Sequence, residues 1–314
     1  MQVSRDIPAL AAKGSVLTIG NFDGVHLGHQ ALLKLLREKA QACGLPAVVL
    51  TFEPHPREFF APADAPARLA TLREKLLLLE AAGVDRVHVC RFDKRFASLT
   101  AEDFISRLLV QGLQTRHIFI GDDFRFGKGR TGDFALLQSA GARFGFHVEA
   151  MHTLDVAGER VSSSAVRAAL AEGDMAHAAR LLGRPYSIAG RVLHGDKIGR
   201  TIGFPTANIQ LKHRRPALCG IYAVSVEGVG PRRRIGAASI GVRPTVTNAG
   251  RATLEVNLLD YSGDLYGAHL RIHFHHKLRD EEKYASLDAL TAQIGRDVDA
   301  TRAYFAVNPI PTLD

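Results

Sequence analysis

The sequence has few cysteines, no long apolar run and no apolar leader, and each absence excludes a class of protein. Only Cys43, Cys90 and Cys219 occur in 314 residues, and their wide spacing fits neither a disulfide framework nor a metal site. Apolar residues nowhere run for the roughly 18 positions that a membrane helix requires. The first six residues lack the basic-then-apolar order of a secretory signal. We therefore expect a cytoplasmic protein with reduced thiols and no membrane partner.

The chain is basic, with a formal net charge of +8. A surplus of positive charge favours an anionic partner, which is either a nucleic acid or a phosphorylated small molecule. The longest basic run is residues 232–234, and no aromatic side chains alternate with it to stack on bases. We expect a small phosphorylated partner and no nucleic acid.

Residues 15–180 alternate short apolar runs with amphipathic segments. This order predicts a parallel sheet with crossover helices. Such sheets bind ligands beyond the carboxyl ends of their strands, where the loops rich in Gly, His and Asp fall. The predicted strands are residues 16–19, 47–52, 86–90, 117–120 and 146–151, and the predicted helices are residues 27–42, 72–82, 101–112 and 133–142.

After about residue 184 the pattern changes to short runs separated by Gly, Pro and Asn turns, which is typical of a small antiparallel barrel. Gly183 and Pro185 mark the change. We therefore predict an α/β + β chain: a doubly wound parallel-sheet domain at 1–183 and a β-barrel domain with a terminal helix at 184–314. The predicted barrel strands are residues 187–193, 220–226, 235–240, 253–259 and 270–274, and the last helix is residues 287–305.

The segment from Gly20 to His29 follows the first predicted strand and opens the first predicted helix. Gly20 and Gly24 allow a sharp turn, and the N–H groups at a helix start attract phosphate. His26 and His29 lie three residues apart and share one face of the first turn. Two imidazoles there can donate hydrogen bonds to a triphosphate and to the phosphorus as its charge grows. The alternatives are a pair of capping or surface histidines, or a metal pair, for which no third ligand lies nearby in sequence.

This segment resembles the signature of the HxGH nucleotidyltransferases, which share a doubly wound fold with class I aminoacyl-tRNA synthetases. Residues 162–167 resemble the same family's Ser-Ser-Thr-x-x-Arg motif, with Ser164 in place of the usual Thr. Serines are good helix caps, and an arginine one turn into the helix can reach a phosphate. The resemblance implies that His26, His29 and Arg167 stabilise charge during adenylyl transfer. It implies ATP contacts from Gly20, Phe22, Gly28, Ser162, Ser163, Ser164 and Asp123.

Two further segments at strand carboxyl ends narrow the choice of acceptor. Residues 51–56 and 121–127 supply aromatic faces for a planar ring and polar groups for a phosphate or an adenine edge. Each phenylalanine has the alternative role of a core residue. Both segments resemble internal motifs of the prokaryotic bifunctional riboflavin kinase/FAD synthetase family. The resemblance implies flavin contacts from Phe52, His55, Phe124 and Arg125.

Residues 194–208 bring three glycines and Pro-Thr-Ala-Asn into one connection. Thr206 and Asn208 point the same way if this segment is extended, and their oxygens suit Mg²⁺ held against ATP phosphates. The alternative is a glycine-rich barrel turn that Thr206 and Asn208 cap. Residues 203–208 resemble the riboflavin kinase signature Gly-Phe-Pro-Thr-Ala-Asn, which implies that Thr206 and Asn208 bind the metal. The same resemblance implies ATP contacts from Gly195, Lys197, Gly199, Gly203 and Pro205.

A kinase also requires a group that accepts the proton of the substrate hydroxyl. Glu255 occupies the position that matches the family's catalytic glutamate, although a strand glutamate by itself is more often a surface residue. Tyr222 and Arg243 match segments around the flavin, which implies flavin contacts. The match runs from Gly20 to about residue 305 and carries both motifs in the expected order.

The resemblance predicts an enzyme that uses ATP and Mg²⁺ to phosphorylate riboflavin to FMN and then adenylylates FMN to FAD. The expected partners are riboflavin, FMN, FAD and ATP. One rival is an adenylyltransferase with another acceptor, such as a pantetheine phosphate or nicotinamide mononucleotide. The other is a basic protein whose barrel binds single-stranded nucleic acid.

Overall fold

The computed structural model describes residues 1–5, 13–121, 123–151, 155–156, 158–195, 199, 202–211, 215–242 and 252–310. They form two compact units. The first is Met1–Pro66 with Leu72–Ser162, and the second is Ala67–Thr71 with Ser163–Asp314. The predicted fold class, a parallel-sheet domain followed by an antiparallel barrel and a terminal helix, is confirmed. Among the residues described, no helix is both long and apolar enough to cross a membrane.

The first unit is built on a six-stranded parallel sheet. Its strands are β1 (Gln2–Ser4), β2 (Ser15–Ile19), β3 (Ala47–Glu53), β4 (Arg86–Arg91), β5 (Thr115–Gly121) and β6 (His147–Met151). They lie in the order β1-β4-β3-β2-β5-β6, with every neighbouring pair parallel. The direction of chain progress reverses at β2, which lies between β3 and β5. Ligands of open α/β sheets bind at such a switch point, beyond the carboxyl ends of the strands.

The helices of this unit cover the sheet because their apolar residues recur on one side. Helix α1 (Leu27–Cys43) buries Leu32, Leu33, Leu36 and Ala40, and it ends where Gly44 adopts a left-handed conformation. The other helices are α2 (Pro56–Phe60), α3 (Leu72–Ala81), α4 (Lys94–Ala97), α5 (Ala101–Asp103), a π-helical continuation of α5 at Phe104–Gly112, a 3₁₀ turn at Lys128–Arg130, and α6 (Phe134–Phe144). A short ribbon of β7 (Asp155–Val156) and β8 (Glu159–Arg160) completes the unit.

The second unit holds a closed six-stranded antiparallel barrel. Its strands are β9 (Tyr186–Leu193), β10 (Ala207–Ile209), β11 (Gly220–Glu227), β12 (Arg234–Val242), β13 (Ala252–Leu258) and β14 (His269–Arg279), in the order β10-β13-β12-β11-β14-β9. Helices α7 (Ser163–Glu172) and α8 (Met175–Leu182) precede the barrel and α9 (Leu287–Val307) follows it. Helix α8 packs against β9 and β14, and α9 packs against β11, β12 and β14.

The predicted elements recur in the structure with ends that differ by a few residues, and the additions to them include the strands β1, β7, β8 and β10 and the helices α2, α4 and α8. Two compact units meet in sequence at Ser162 and Ser163, so α7 and α8 group with the barrel. The division into catalytic domains at 1–183 and 184–314 stays a prediction.

Candidate active sites

The first candidate site is the turn between β2 and α1, at the switch point of the parallel sheet. His26 is the residue before α1, and its Nδ1 accepts a hydrogen bond from the backbone N–H of His29 at 3.3 Å. A ring nitrogen that accepts carries no proton, so a neutral His26 holds its proton on Nε2 and can donate from there. His26 is therefore a helix cap and a hydrogen-bond donor at once.

The two predicted imidazoles lie against each other. The rings of His26 and His29 stack with their centroids 3.7 Å apart, and Phe22 packs against His29 at 4.9 Å. Burial holds the pKa of His29 well below its usual value, and electrostatic interactions with His26 and then with Lys75 lower it further. His29 is consequently neutral at neutral pH. Within the described structure, His29 Nδ1 and Asn21 Oδ1 are buried without a hydrogen-bond partner, as expected of groups that meet a polar ligand.

The backbone of this turn is strained. Phe22 has a φ of 48° and Val25 has a φ of 41°, although both are non-glycine residues with almost wholly buried side chains. Left-handed conformations cost such residues about 1–3 kcal/mol each, and they persist where the surrounding structure enforces them. The strain supports a functional role for the turn.

The His26 ring leaves little room for a side chain at Gly28. A β-carbon at position 28 would lie 3.2 Å from both Cε1 and Nδ1 of His26 and 3.6 Å from the carbonyl oxygen of Val161. The glycine of the His-x-Gly-His sequence therefore leaves room for the capping imidazole.

The structure places the second predicted ATP motif at the start of α7. Ser162 precedes the helix, and Ser163 and Ser164 lie in its first turn. The Nε of Arg167 donates to the carbonyl oxygen of Ala67 at 2.6 Å. Asp123 is exposed and pairs with Arg160 at 3.4 Å. The ATP contacts of these residues, and of Gly20 and Phe22, stay predictions.

The predicted flavin residues of the first unit lie at the carboxyl end of β3, where Phe52 belongs to the strand itself, and on the loops after β3 and β5. Phe52 is buried in edge contact with Phe92 and Phe96, whereas Phe124 is partly exposed. His55 caps α2: its Nδ1 accepts from the N–H of Arg57 at 3.1 Å. The side chain of Arg125 is exposed and pairs with Asp133 at 2.9 Å. Flavin contacts of these four residues stay predictions.

The second candidate site is formed where three barrel strands meet. Asn208 on β10 lies opposite Glu255 on β13, and Glu255 lies opposite Ser239 on β12. The hydroxyl of Thr206 donates to Oε2 of Glu255 at 3.2 Å. The structure thus brings together the predicted metal ligands and the predicted proton acceptor, which are 49 residues apart in sequence at this bond.

Gly195 and Asn257 fix the surroundings of these groups. The Asn208 side chain lies against the α-carbon of Gly195, where any β-carbon would clash with it. Asn257 follows Glu255 by two residues and donates from Nδ2 to the carbonyl oxygen of Pro205 at 2.8 Å. The extended segment that carries Thr206 is therefore held from both sides.

A pocket of about 530 Å³ opens beside Glu255. This volume lies within the usual range for small-molecule sites, about 300–1,000 Å³. One wall of the pocket is apolar. Another wall carries charged side chains, which come from the end of β14, the loop that follows it and α9. Its lining includes Gly199, Phe204, Thr206, Ile221, Ala238, Ser239, Glu255, Asn257, Arg279, Tyr284, Leu290, Ile294 and Asp297.

The remaining predicted residues of the second site differ in placement. Tyr222 is fully buried in the barrel, and its hydroxyl donates to the carbonyl oxygen of Cys219 at 3.0 Å. Burial raises the pKa of Tyr222. Gly203 is exposed in the connection, whereas Lys197 and Arg243 lie outside the described residues. The contact predicted between Tyr222 and the flavin stays a prediction.

Three residues at these sites were absent from the predictions. Asn257 could have been found, because alternation along a strand places it on the same face as Glu255. Phe60 is 66% exposed at the end of α2, among the aromatic rings that follow β3. Lys75 is buried beside the first site, and no sequence signal distinguishes it from a surface lysine. Among the described residues, no group of three or more His, Cys, Asp or Glu side chains could hold a metal ion.

Comparison with protein families gives two matches that together cover most of the chain. Residues 9–165 match the FAD synthetase family, and residues 182–305 match the riboflavin kinase family. The first match contains the His26–His29 turn, and the second contains Thr206, Asn208 and Glu255.

Curated relatives match over nearly their whole length. The bifunctional riboflavin kinase/FMN adenylyltransferase of Escherichia coli K12 is 53% identical over 295 residues, which is 94% of each chain. The protein of that description from Pseudomonas fluorescens is 54% identical over 308 residues, 98% of each chain. A crystal structure described as a macrolide-efflux protein from Streptococcus pneumoniae superposes with a TM-score of 0.81 at 29% identity, covering 96% of this chain and 99% of that one. The family matches and the curated relatives agree with each other, and the chain belongs to the family of bifunctional riboflavin kinases/FMN adenylyltransferases.

Proposed function

We propose that the chain's two flavin reactions run at the two sites described above. The enzyme phosphorylates riboflavin to FMN and adenylylates FMN to FAD, with ATP as the co-substrate of both reactions. Residues 1–183 carry the adenylylation and residues 184–314 carry the phosphorylation. The observation that supports this division best is the Thr206–Glu255 hydrogen bond inside the barrel, remote in sequence from the stacked histidines at the start of α1. The cytoplasmic location expected from the sequence remains a proposal.

In adenylylation, an oxygen of the FMN phosphate attacks the α-phosphorus of ATP, and the bond to pyrophosphate breaks. The FMN phosphate is already ionised, so this step needs no general base. His26 donates from Nε2 to the triphosphate, and His29 contributes its buried imidazole beside it. The start of α1 adds the field of its N–H groups. These donors stabilise the negative charge that grows on the phosphorus oxygens and on the leaving pyrophosphate.

The flavin ring of FMN stacks on the aromatic side chains at the carboxyl edge of the sheet. Phe59, Phe60 and Phe92 form a mutual edge-to-face cluster with centroid distances of 5.2–5.6 Å. The exposure of Phe60 supports this role, because a large exposed aromatic ring offers a face to a planar ligand. Phe124 supplies a second aromatic surface after β5.

In phosphorylation, the ribityl 5′-hydroxyl of riboflavin attacks the γ-phosphorus of ATP, and the bond to ADP breaks. Glu255 accepts the proton of that hydroxyl. The pocket beside Glu255 takes the flavin ring between its apolar wall and α9, with Arg279 and Tyr284 at its charged side. Gly195, Gly199 and Gly203 let the connection before β10 approach the phosphates.

Mg²⁺ is the metal that fits this site, with Thr206 and Asn208 as its protein ligands. Both offer uncharged hard oxygens, and Mg²⁺ commonly takes only one or two protein ligands beside phosphates and water. The Thr206 hydroxyl directs its hydrogen to Glu255 and so leaves its lone pairs for a cation. When bound there, Mg²⁺ neutralises charge on the ATP phosphates.

The proposal is tested by incubating the purified protein with riboflavin, ATP and Mg²⁺ and separating the flavins by chromatography. FMN should appear first and FAD should follow. In a second incubation that starts from FMN in place of riboflavin, the enzyme should form FAD and pyrophosphate. Omission of Mg²⁺ should stop FMN formation, and Phe60→Ala should raise the KM for FMN without changing the KM for riboflavin. Protein that leaves riboflavin unphosphorylated or FMN unadenylylated would contradict the proposal.

A further inference from the structure

Lys75 is a buried cation in the adenylylating unit. It lies in the second turn of α3, and only 3% of its surface is exposed. Burial of an ammonium group costs several kcal/mol unless polar partners compensate it. A lysine is therefore kept in such a place by what it contacts.

One hydrogen bond of Lys75 leads to the turn that carries the histidines. The Nζ of Lys75 donates to the hydroxyl of Thr51 at 3.4 Å, and that hydroxyl donates to the carbonyl oxygen of Asn21 at 3.3 Å. Thr51 is fully buried near the carboxyl end of β3. One hydroxyl thus connects the ammonium group on α3 with the backbone at the start of the turn.

The backbone beyond Asn21 is the part of the turn that needs support. Phe22 follows directly with its positive φ, and Val25 repeats that conformation just before His26. Conformations of this kind last only where neighbouring contacts enforce them. The hydrogen bond from Thr51 anchors the carbonyl group that precedes the first strained residue.

The charge of Lys75 also acts on the chemistry of the turn. Burial is the largest cause of the lowered pKa of His29, and electrostatic interactions with His26 and then with Lys75 lower that pKa further. The positive end of the α1 dipole lies at the same place. An ammonium group, a helix start and two imidazole donors together favour a polyanion over a neutral ligand.

We propose that Lys75 is a positioning residue for adenylyl transfer: through Thr51 it holds Asn21 and the strained turn, so that His26 and His29 present their donors to the triphosphate of ATP. This inference rests on the proposed function of the first site.

The test uses the full-length enzyme and both of its activities. Lys75→Met keeps the length and volume of the side chain but removes its charge and its donor. The kcat for FAD formation should fall about 10–100-fold, because displacement of catalytic groups by about 1 Å costs on the order of 100-fold. Riboflavin phosphorylation in the same preparation should stay within about twofold of wild type. Lys34→Met, which removes an exposed lysine of α1, should leave both rates unchanged.

A double-mutant cycle separates positioning from general destabilisation. Thr51→Val removes the linking hydroxyl while keeping the shape of the side chain, and it should reproduce the selective loss. The double variant should be no slower than the slower single variant, because both changes break one connection. In Lys75→Met, the pKa of His29 measured by NMR should rise. If Lys75→Met does not fold, Thr51→Val alone must show the selective loss of FAD formation.

FAD formation by the wild-type enzyme distinguishes a failure of the proposed function from a failure of the role of Lys75. Protein that forms no FAD at all would overturn the function of the first site. A wild-type enzyme that forms FAD, with a Lys75→Met variant that is equally fast, would overturn only the role of Lys75. Independent, additive losses in Lys75→Met and Thr51→Val would overturn it as well, as would an equal decline of both activities together with thermal stability.

Discussion

Two arginine–aspartate pairs fasten α9 to the barrel, and they differ mainly in burial. Arg279 donates from Nε and Nη2 to the two carboxylate oxygens of Asp297 at 2.9 and 2.7 Å. Arg302 donates to both oxygens of Asp260 at 2.9 and 2.8 Å. The side chains of the first pair are 18% and 7% exposed, and those of the second are 48% and 67% exposed. Comparison of the two pairs therefore measures how much burial adds to the contribution of an ion pair to folding stability.

Asp297→Ala should destabilise the barrel unit by about 3 kcal/mol. Removal of one partner from a buried pair costs about 3–5 kcal/mol, because the other charge stays behind without compensation. The lower end applies since Arg279 keeps some solvent contact. The variant also loses the hydrogen bond that Asp297 accepts from Gln293 at 3.0 Å, and this is part of the expected loss of stability. For a unit of this size, the midpoint of thermal unfolding should fall by about 6–12 °C.

Differential scanning calorimetry and flavin kinetics measure the two consequences together. Because Arg279 and Asp297 line the pocket beside Glu255, the KM for riboflavin should rise in Asp297→Ala, while FAD formation from FMN should keep its rate. Asp260→Ala is the control, and exposed pairs of this kind contribute little. We expect no resolvable change from it. Equal losses of stability in both variants, or none in Asp297→Ala, would refute the argument from burial.

Three further predictions concern the two sites and the barrel. Glu255→Gln should lower the rate of riboflavin phosphorylation by about 10²–10⁴-fold, the range for loss of a general base, and leave FAD formation from FMN intact in a steady-state assay. Gly28→Ala should slow FAD formation about tenfold at unchanged kinase rate, since the new β-carbon presses on the His26 ring, and an unaltered rate would show that the ring yields freely. Burial lowers the pKa of His275 to about 4, so the unfolded state binds the proton more tightly. The free energy of unfolding should therefore fall by up to about 3 kcal/mol as the pH decreases from 6.5 to 4. Denaturant titrations of His275→Gln should show a smaller decrease in the free energy of unfolding over the same pH range than titrations of wild type.

The sequence predicted most of the longer elements of both units because their patterns are local. The buried run of β2 and the amphipathic repeat of α1 are each complete within one segment. Strand β10 escaped prediction because it has only three residues and follows a proline-containing connection. Its pairing with β13 is a tertiary contact that no local pattern reveals.

Site residues that belong to a local sequence motif were predictable. Site residues that reach the site through packing between distant segments were not. His26 and His29 stand in one motif, and the capping role of His26 was among the alternatives. His55 with Glu58 forms a capping box, whose spacing the sequence displays but whose histidine cap is unusual. Lys75 lacks any such signal, since its burial and its contact with Thr51 depend on how α3 lies on the sheet.

Under the proposed function, one chain holds two independent catalytic sites. Their independence is tested by combining His26→Ala and Glu255→Gln, each of which should lack one of the two activities, in a single assay of FAD formation from riboflavin, ATP and Mg²⁺. Each variant alone should fail to convert riboflavin to FAD, the first stopping at FMN and the second leaving riboflavin unchanged. The mixture should restore FAD, because FMN released by His26→Ala is adenylylated by Glu255→Gln. A mixture that forms no FAD although FMN accumulates, or a single variant that loses both activities, would contradict the claim.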